Sequence, residues 1–191
     1  MSPQDLTRRT VMTALASLPA GVSAADQRGD GESLPNTSRT LVVYFSRSGN
    51  TRVVAGLIQR KLGADLFEIR PATPYPDDYL EQVKVATEER DRAFEPPLAA
   101  KVSNVSRYDT LYLGFPIWGE TAPAVIRSFL KTHDLSSKTV VPFITHGGYG
   151  VGSSHAVLAS HAAKARVERG FSMQADQERQ TMNTVNSWLK Q

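Results

Sequence analysis

The sequence predicts an α/β domain built on a parallel sheet, and three observations carry that expectation. Mostly apolar runs recur at Leu41–Phe45, Thr110–Phe115 and Thr139–Thr145. Runs of this length suit strands buried on both faces, as in a parallel sheet. A helical period follows each run, which is the alternation of successive βαβ units. An unusual loop separates each run from its helix: Ser46–Thr51, Pro116–Thr121 and His146–Ser154. Right-handed crossovers bring three such loops to one end of the sheet, where ligands of open α/β sheets sit.

The first strand breaks into Ser46-Arg47-Ser48-Gly49-Asn50-Thr51, a loop of hydroxyls, an amide and a glycine. The next helix is expected to set Val53, Val54, Leu57, Ile58 and Leu62 on one face, with Gly63 as its C-terminal cap. A strand, a hydroxyl-rich loop and a helix N-terminus make an anion cradle. Backbone N–H groups and the positive end of the helix dipole converge there.

Asp65–Arg70 alternates apolar and polar residues and stops at Pro71, as a second, more exposed strand would. Pro71, Pro74 and Pro76 stiffen the next loop, and Asp77-Asp78 can cap a helix through about Arg92. The charge run Glu88–Arg92 reads as a solvated helix face, ended by Glu95-Pro96-Pro97. After the third strand, Pro123 suits the first turn of a helix that buries Val125, Ile126, Phe129 and Leu130. A helix is expected from about His155 and a short fifth strand within Arg166–Met173. A last helix would carry Met182, Val185, Trp188 and Leu189 inward.

At 191 residues and 40% hydrophobic composition the chain suits one well-packed domain. The formal charge of +3 comes with no basic run or aromatic–basic interleaving, so no nucleic-acid partner is expected. No stretch approaches the roughly 18 uninterrupted apolar residues of a membrane span. The absence of cysteine excludes disulfides, thiolate metal sites and a cysteine nucleophile.

Residues 1–24 have the order of a secretory signal. Arg8-Arg9 precede the apolar stretch Val11–Leu18, and Val22-Ser23-Ala24 offers small residues for cleavage. The paired arginines are similar to a twin-arginine signal, which implies a periplasmic or otherwise exported protein. Removing the leader takes away Asp5, Arg8 and Arg9 and leaves the rest slightly basic. Residues 25–39, rich in Gly, Asp, Ser and Asn, read as a flexible linker, and 40–191 as the folded domain.

Taken together, the three loops resemble those of flavodoxin-like proteins. The resemblance implies a three-layer fold, a five-stranded parallel sheet in the order 2-1-3-4-5 with helices on both faces, and non-covalent FMN. Ser46, Arg47, Ser48, Gly49, Asn50 and Thr51 match the family's phosphate loop. Arg47 stands apart, since the family usually binds this phosphate without a cationic side chain. Pro116, Ile117, Trp118 and Gly119 match the loop whose aromatic residue commonly covers the flavin ring. Trp118 either stacks on that ring or packs in the core. Thr145, His146, Gly147, Gly148, Tyr149 and Gly152 match the glycine-rich loop at the ring's polar edge. Tyr149 either closes the opposite face or lies on the surface.

Other motifs do not compete. Gly148-x-Gly150-x-Gly152 lacks dinucleotide-fingerprint spacing, and neither G-x-x-x-x-G-K-[ST] nor G-x-S-x-G occurs. His155 and His161, six residues apart, fall on different helix faces, and no metal site is expected. The expected function is that of an FMN-dependent oxidoreductase, similar to NAD(P)H:quinone reductases, with a quinone or similar small molecule as electron acceptor. The alternatives are a flavodoxin-type carrier serving a redox partner protein, and a binding domain that has lost its flavin. Carriers of this family are often strongly acidic to steer onto basic partners, and this chain is not.

Overall fold

A computed structural model describes residues 39–175 and 185–190. Strand β1, Thr40–Tyr44, lies inside the sheet between β2, Asp65–Glu68, and β3, Thr110–Pro116, and runs parallel to both. Strand β4, Thr139–His146, continues the sheet beside β3. Beyond it lie two short strands, β5 at Arg166–Val167 and β6 at Phe171–Gln174, both parallel to β4. The order is thus β2-β1-β3-β4-β5, with β6 also on β4. This is the flavodoxin-like order.

The apolar runs become central strands because each has two buried faces. Leu41, Val43 and Phe45 enter a core shared with α3, Ala124–Thr132, and α4, Ser154–His161. Val42 and Tyr44 enter a second core with α1, Asn50–Leu62, and with Val185. Phe115, Phe129 and Phe143 are among the largest fully buried side chains. Burying a side chain of this size contributes about 1.5–3 kcal/mol. Helix α3 begins after Pro123 and buries Val125, Ile126, Phe129 and Leu130 as expected. Helix α1 ends at Gly63, whose left-handed backbone sends N–H groups back to Gln59.

Four expectations need correction. The inner face of α1 is Thr51, Val54, Ala55 and Ile58, while Val53 and Leu62 are exposed. The true stripe follows i, i+3, i+4, i+7, and Thr51 belongs to it through a buried hydrogen bond. The single fifth strand is two strands. Alternate residues of a strand offer their backbone to the same neighbour, and the Val140 carbonyl accepts from Glu168 N–H at 2.9 Å. Pro142 therefore faces that side too, with no N–H to give. The pairing consequently skips a residue between Val140↔Val167 and Phe143↔Phe171. Gly170 fills the gap, where a Cβ would lie 2.0 Å from the Pro142 carbonyl oxygen.

The third correction concerns α2, Tyr79–Asp91, which is capped by Asp78 accepting from Glu81 N–H at 2.9 Å. Its charge run is not uniformly solvated: Glu89 is buried and accepts from the Tyr75 hydroxyl at 2.8 Å. The two buried residues of this helix, Gln82 and Glu89, are both polar. Strand β2 is also shorter than expected, ending at Glu68. Residues 1–24, the linker as far as Ser38 and Met182 lie outside the described residues. Val185 is buried, and Trp188 stacks on Phe171 with centroids 5.3 Å apart.

Candidate functional site

The loop after β1 ends in an open helix start. Gly49 is the N-cap of α1 with φ of 93°, no side chain caps the helix, and its first turn carries no acidic residue. The opening N–H groups of an α-helix have no partners within it, so this end presents donors and partial positive charge. Beside it, the Ser46 hydroxyl oxygen is buried with no hydrogen-bond partner among the described residues. A buried hydroxyl with nothing to bond is uncommon, because its lost hydration is not replaced. Ser48 is exposed, and Arg47 donates from Nη2 to the Asp77 carbonyl at 2.6 Å.

Thr51 turns away from solvent. Its Oγ1 lies 2.9 Å from Oγ1 of Thr145, and both residues are buried. This bond ties the start of α1 to the end of β4. Thr145 also holds the second loop, since its carbonyl accepts from Ile117 N–H at 2.9 Å.

The second loop is a tight hairpin. Trp118 and Thr121 exchange both backbone hydrogen bonds, and the residues between them, Gly119 and Glu120, have φ of 56° and 62°. Positive φ at both central positions belongs to a type I′ turn. Held this way, Trp118 meets Phe45 and Tyr75 edge to face, with centroids 5.1 and 4.8 Å away. Trp118 therefore packs on the core and borders the cleft beside the first loop. Behind it, burial raises the pKa of Glu89, with Tyr75 and Arg127 opposing that shift. Burial and the adjoining carboxylate also push the Tyr75 hydroxyl up.

The third loop docks on the second. Ser153 N–H donates to the Glu120 carbonyl at 2.9 Å, and Ser153 Oγ donates to Thr121 Oγ1 at 2.9 Å. Gly152 lies so close that a Cβ would fall 1.9 Å from the Glu120 carbonyl oxygen. His146 Nδ1 accepts from Gly148 N–H at 3.2 Å, while Tyr149 is 93% exposed.

A cleft of about 220 Å³ joins the first two loops. Arg47 and Ser48 of the first loop and Pro116, Ile117, Trp118 and Gly119 of the second line it together. The expected residues of the third loop do not line it; of them, Gly152 lies against Glu120 and the Thr145 carbonyl accepts from Ile117 N–H. The far wall is α2, with Tyr79, Gln82, Val83, Ala86, Thr87 and Arg90. None of these six is a site residue expected from the sequence, and Arg90, expected in a solvated charge run, lines the cleft. The signal was a helix in a doubly wound fold without a clear apolar stripe, which must cover something other than the main core.

A family model described as flavodoxin matches residues 39–191. Among solved structures, one provisionally assigned as a flavoprotein from Bacteroides uniformis is 30% identical, covers 81% of this chain and 99% of its own, and has a TM-score of 0.70. A second such assignment, from Bacteroides eggerthii, is 32% identical over 80% of this chain and 96% of its own, with a TM-score of 0.69. A flavoprotein from Lactobacillus acidophilus, solved in complex with FMN, shares the fold at 20% identity. It covers 76% of this chain and 99% of its own, with a TM-score of 0.63. A search of curated proteins found no match.

Proposed function

This chain belongs to the flavodoxin family, and from that premise we propose that it binds FMN non-covalently and passes electrons to a quinone or similar small acceptor. The observation that carries the cofactor is the unpartnered buried hydroxyl of Ser46 beside the uncapped start of α1. A phosphate dianion would satisfy that hydroxyl and the helix N–H groups together.

Bound FMN supplies the redox chemistry itself. The chain's own residues hold and surround it. Ser46, Ser48 and Asn50 offer neutral donors to the phosphate, and Thr51 is oriented by Thr145. Trp118 is fixed by Phe45 and Tyr75 as a flat wall for the ring. The backbone around Gly147, Gly148 and Gly152 offers hydrogen bonds to the ring's polar edge. The absence of an acidic surface balance favours a small acceptor over docking on a basic protein.

The test is Ser46→Ala in the full chain. Without ligand, removing an unsatisfied buried hydroxyl should leave the unfolding midpoint unchanged or raise it. In an FMN titration followed by quenching of flavin fluorescence, the same variant should bind about tenfold more weakly, the loss expected for one hydrogen bond to a charged group. Wild-type protein that fails to quench FMN would reject the cofactor.

The reading includes export through the leader, motivated by Arg8-Arg9 and the small residues ending at Ala24. An Arg8→Lys/Arg9→Lys variant is expected to accumulate uncleaved inside the cell. Normal secretion of that variant would exclude the twin-arginine route.

A further inference from the structure

We propose that the cleft between α2 and the second loop binds the second reactant of the site as a small planar organic anion, with Arg90 and Arg47 reading its charge. The inference rests on the FMN reading above and adds the chemical class of the acceptor.

Charge is the first argument. Among the described residues, those lining the cleft include two arginines and no carboxylate. Arg47 donates to the Asp77 carbonyl, a neutral acceptor, and its guanidinium carbon lies 5.9 Å from the Tyr79 ring centre. Neither contact cancels its charge. Arg90 donates from Nε to Asp91 Oδ1 at 2.9 Å and forms an ion pair with that oxygen through Nη2, also at 2.9 Å. This carboxylate, outside the cleft, offsets part of the charge on Arg90. Its remaining terminus, Nη1, points across the cleft to the second loop, 2.8 Å from where a Cβ of Gly119 would stand. A cleft walled by protein and lined by one sign of charge concentrates ligands of the opposite sign.

Shape and surface are the second argument. Trp118 and Tyr79 bring aromatic rings to the cleft lining, and Ile117 and Val83 add apolar side chains. At about 220 Å³ the space suits one or two fused rings and lies below the usual range for larger ligands. Guanidinium groups pair well with planar carboxylates and with sulfonates, and also stack on ring faces. The cleft further adjoins both the phosphate loop, through Ser48, and the ring-facing loop, through Trp118. A molecule held against the α2 wall there lies next to the residues assigned to the cofactor.

Thr87 and the buried Gln82 are the remaining polar groups of the wall. Both are neutral, so they can hydrogen-bond an acceptor without repelling an anion.

The experiment measures equilibrium binding to the FMN-loaded full chain by calorimetry. The probes are 1,4-naphthoquinone-2-sulfonate and its neutral analogue 2-methyl-1,4-naphthoquinone. Wild type should bind the sulfonate at least about fivefold more tightly, and 0.5 M salt should remove most of that preference. Arg90→Gln should abolish the preference with FMN affinity unchanged, and Arg90→Lys should restore part of it. Equal binding of the two probes by wild type overturns the inference and leaves the FMN reading intact. Weaker FMN binding by Arg90→Gln also overturns it, because the cleft would then belong to the cofactor. Failure of wild type to bind FMN is read in a separate titration and rejects the parent reading together with this one.

Discussion

Gly152→Ala is expected to lower the midpoint of thermal unfolding by about 10 °C and to weaken FMN binding in the protein that remains folded. Two effects add. Gly152 has φ of 52°, a left-handed conformation that disfavours residues with a Cβ by roughly 1–2 kcal/mol. The new methyl would also fall 1.9 Å from the Glu120 carbonyl oxygen and 2.6 Å from its carbon. Those are backbone atoms that no rotamer change can move aside. Overpacking of this kind costs about 1–3 kcal/mol. A total near 3 kcal/mol corresponds to a shift of about 10 °C in a domain of this size. The function should suffer as well, because relief requires the third loop to lift off the second, breaking the bonds from Ser153 to Glu120 and Thr121. Calorimetry and an FMN titration read the two consequences. A variant that melts within 2 °C of wild type would show that the two loops are not packed as described.

The second large effect lies inside the sheet. Gly114 and Phe143 are directly paired across β3 and β4, and a Cβ on Gly114 would lie 2.1 Å from atoms of the Phe143 ring. The ring occupies the space that any other residue at 114 would fill. Gly114→Ala alone should therefore destabilise by about 3 kcal/mol through overpacking. Phe143→Ala should cost about 3–5 kcal/mol through the cavity left behind. Combined, they should cost less than their sum by about 1–3 kcal/mol, since the new methyl partly fills the vacated space. Urea unfolding of the four proteins measures the coupling. Strict additivity would mean the two positions do not share that space.

Much of this arrangement is written locally in the chain. The strands β1, β3 and β4 are legible because burial on both faces demands unbroken apolar runs, and Asp78 and Gly63 mark helix ends through chemistry confined to one turn. Four features are not local. Thr51 looks like one more loop hydroxyl until Thr145, 94 residues away, supplies its partner. Glu89 sits in a run of charges, and its burial depends on Tyr75 reaching it from the preceding loop. The break between β5 and β6 had a visible cause in Pro142, but a proline in a strand matters only once the side it faces is known. The wall formed by α2 was hardest to see. Its inward residues include Gln82 and Glu89, and periodicity of apolar residues is blind to a polar interior surface.

The hydroxyl bond between Thr51 and Thr145 has a consequence for how this protein can be recombined. Loops that follow different strands are usually treated as interchangeable parts, to be transplanted one at a time between related scaffolds. Here the start of α1 and the end of β4 are joined beneath the surface by two side chains, each 3% exposed or less. Transplanting the third loop without position 145, or the first without position 51, would strand one hydroxyl in the interior. That residue would then lack its hydrogen bond at a cost of about 1–3 kcal/mol. The natural unit of exchange in this molecule is the pair of segments 46–51 and 145–153 moved together, with the hairpin at 118–121 as the joint they share.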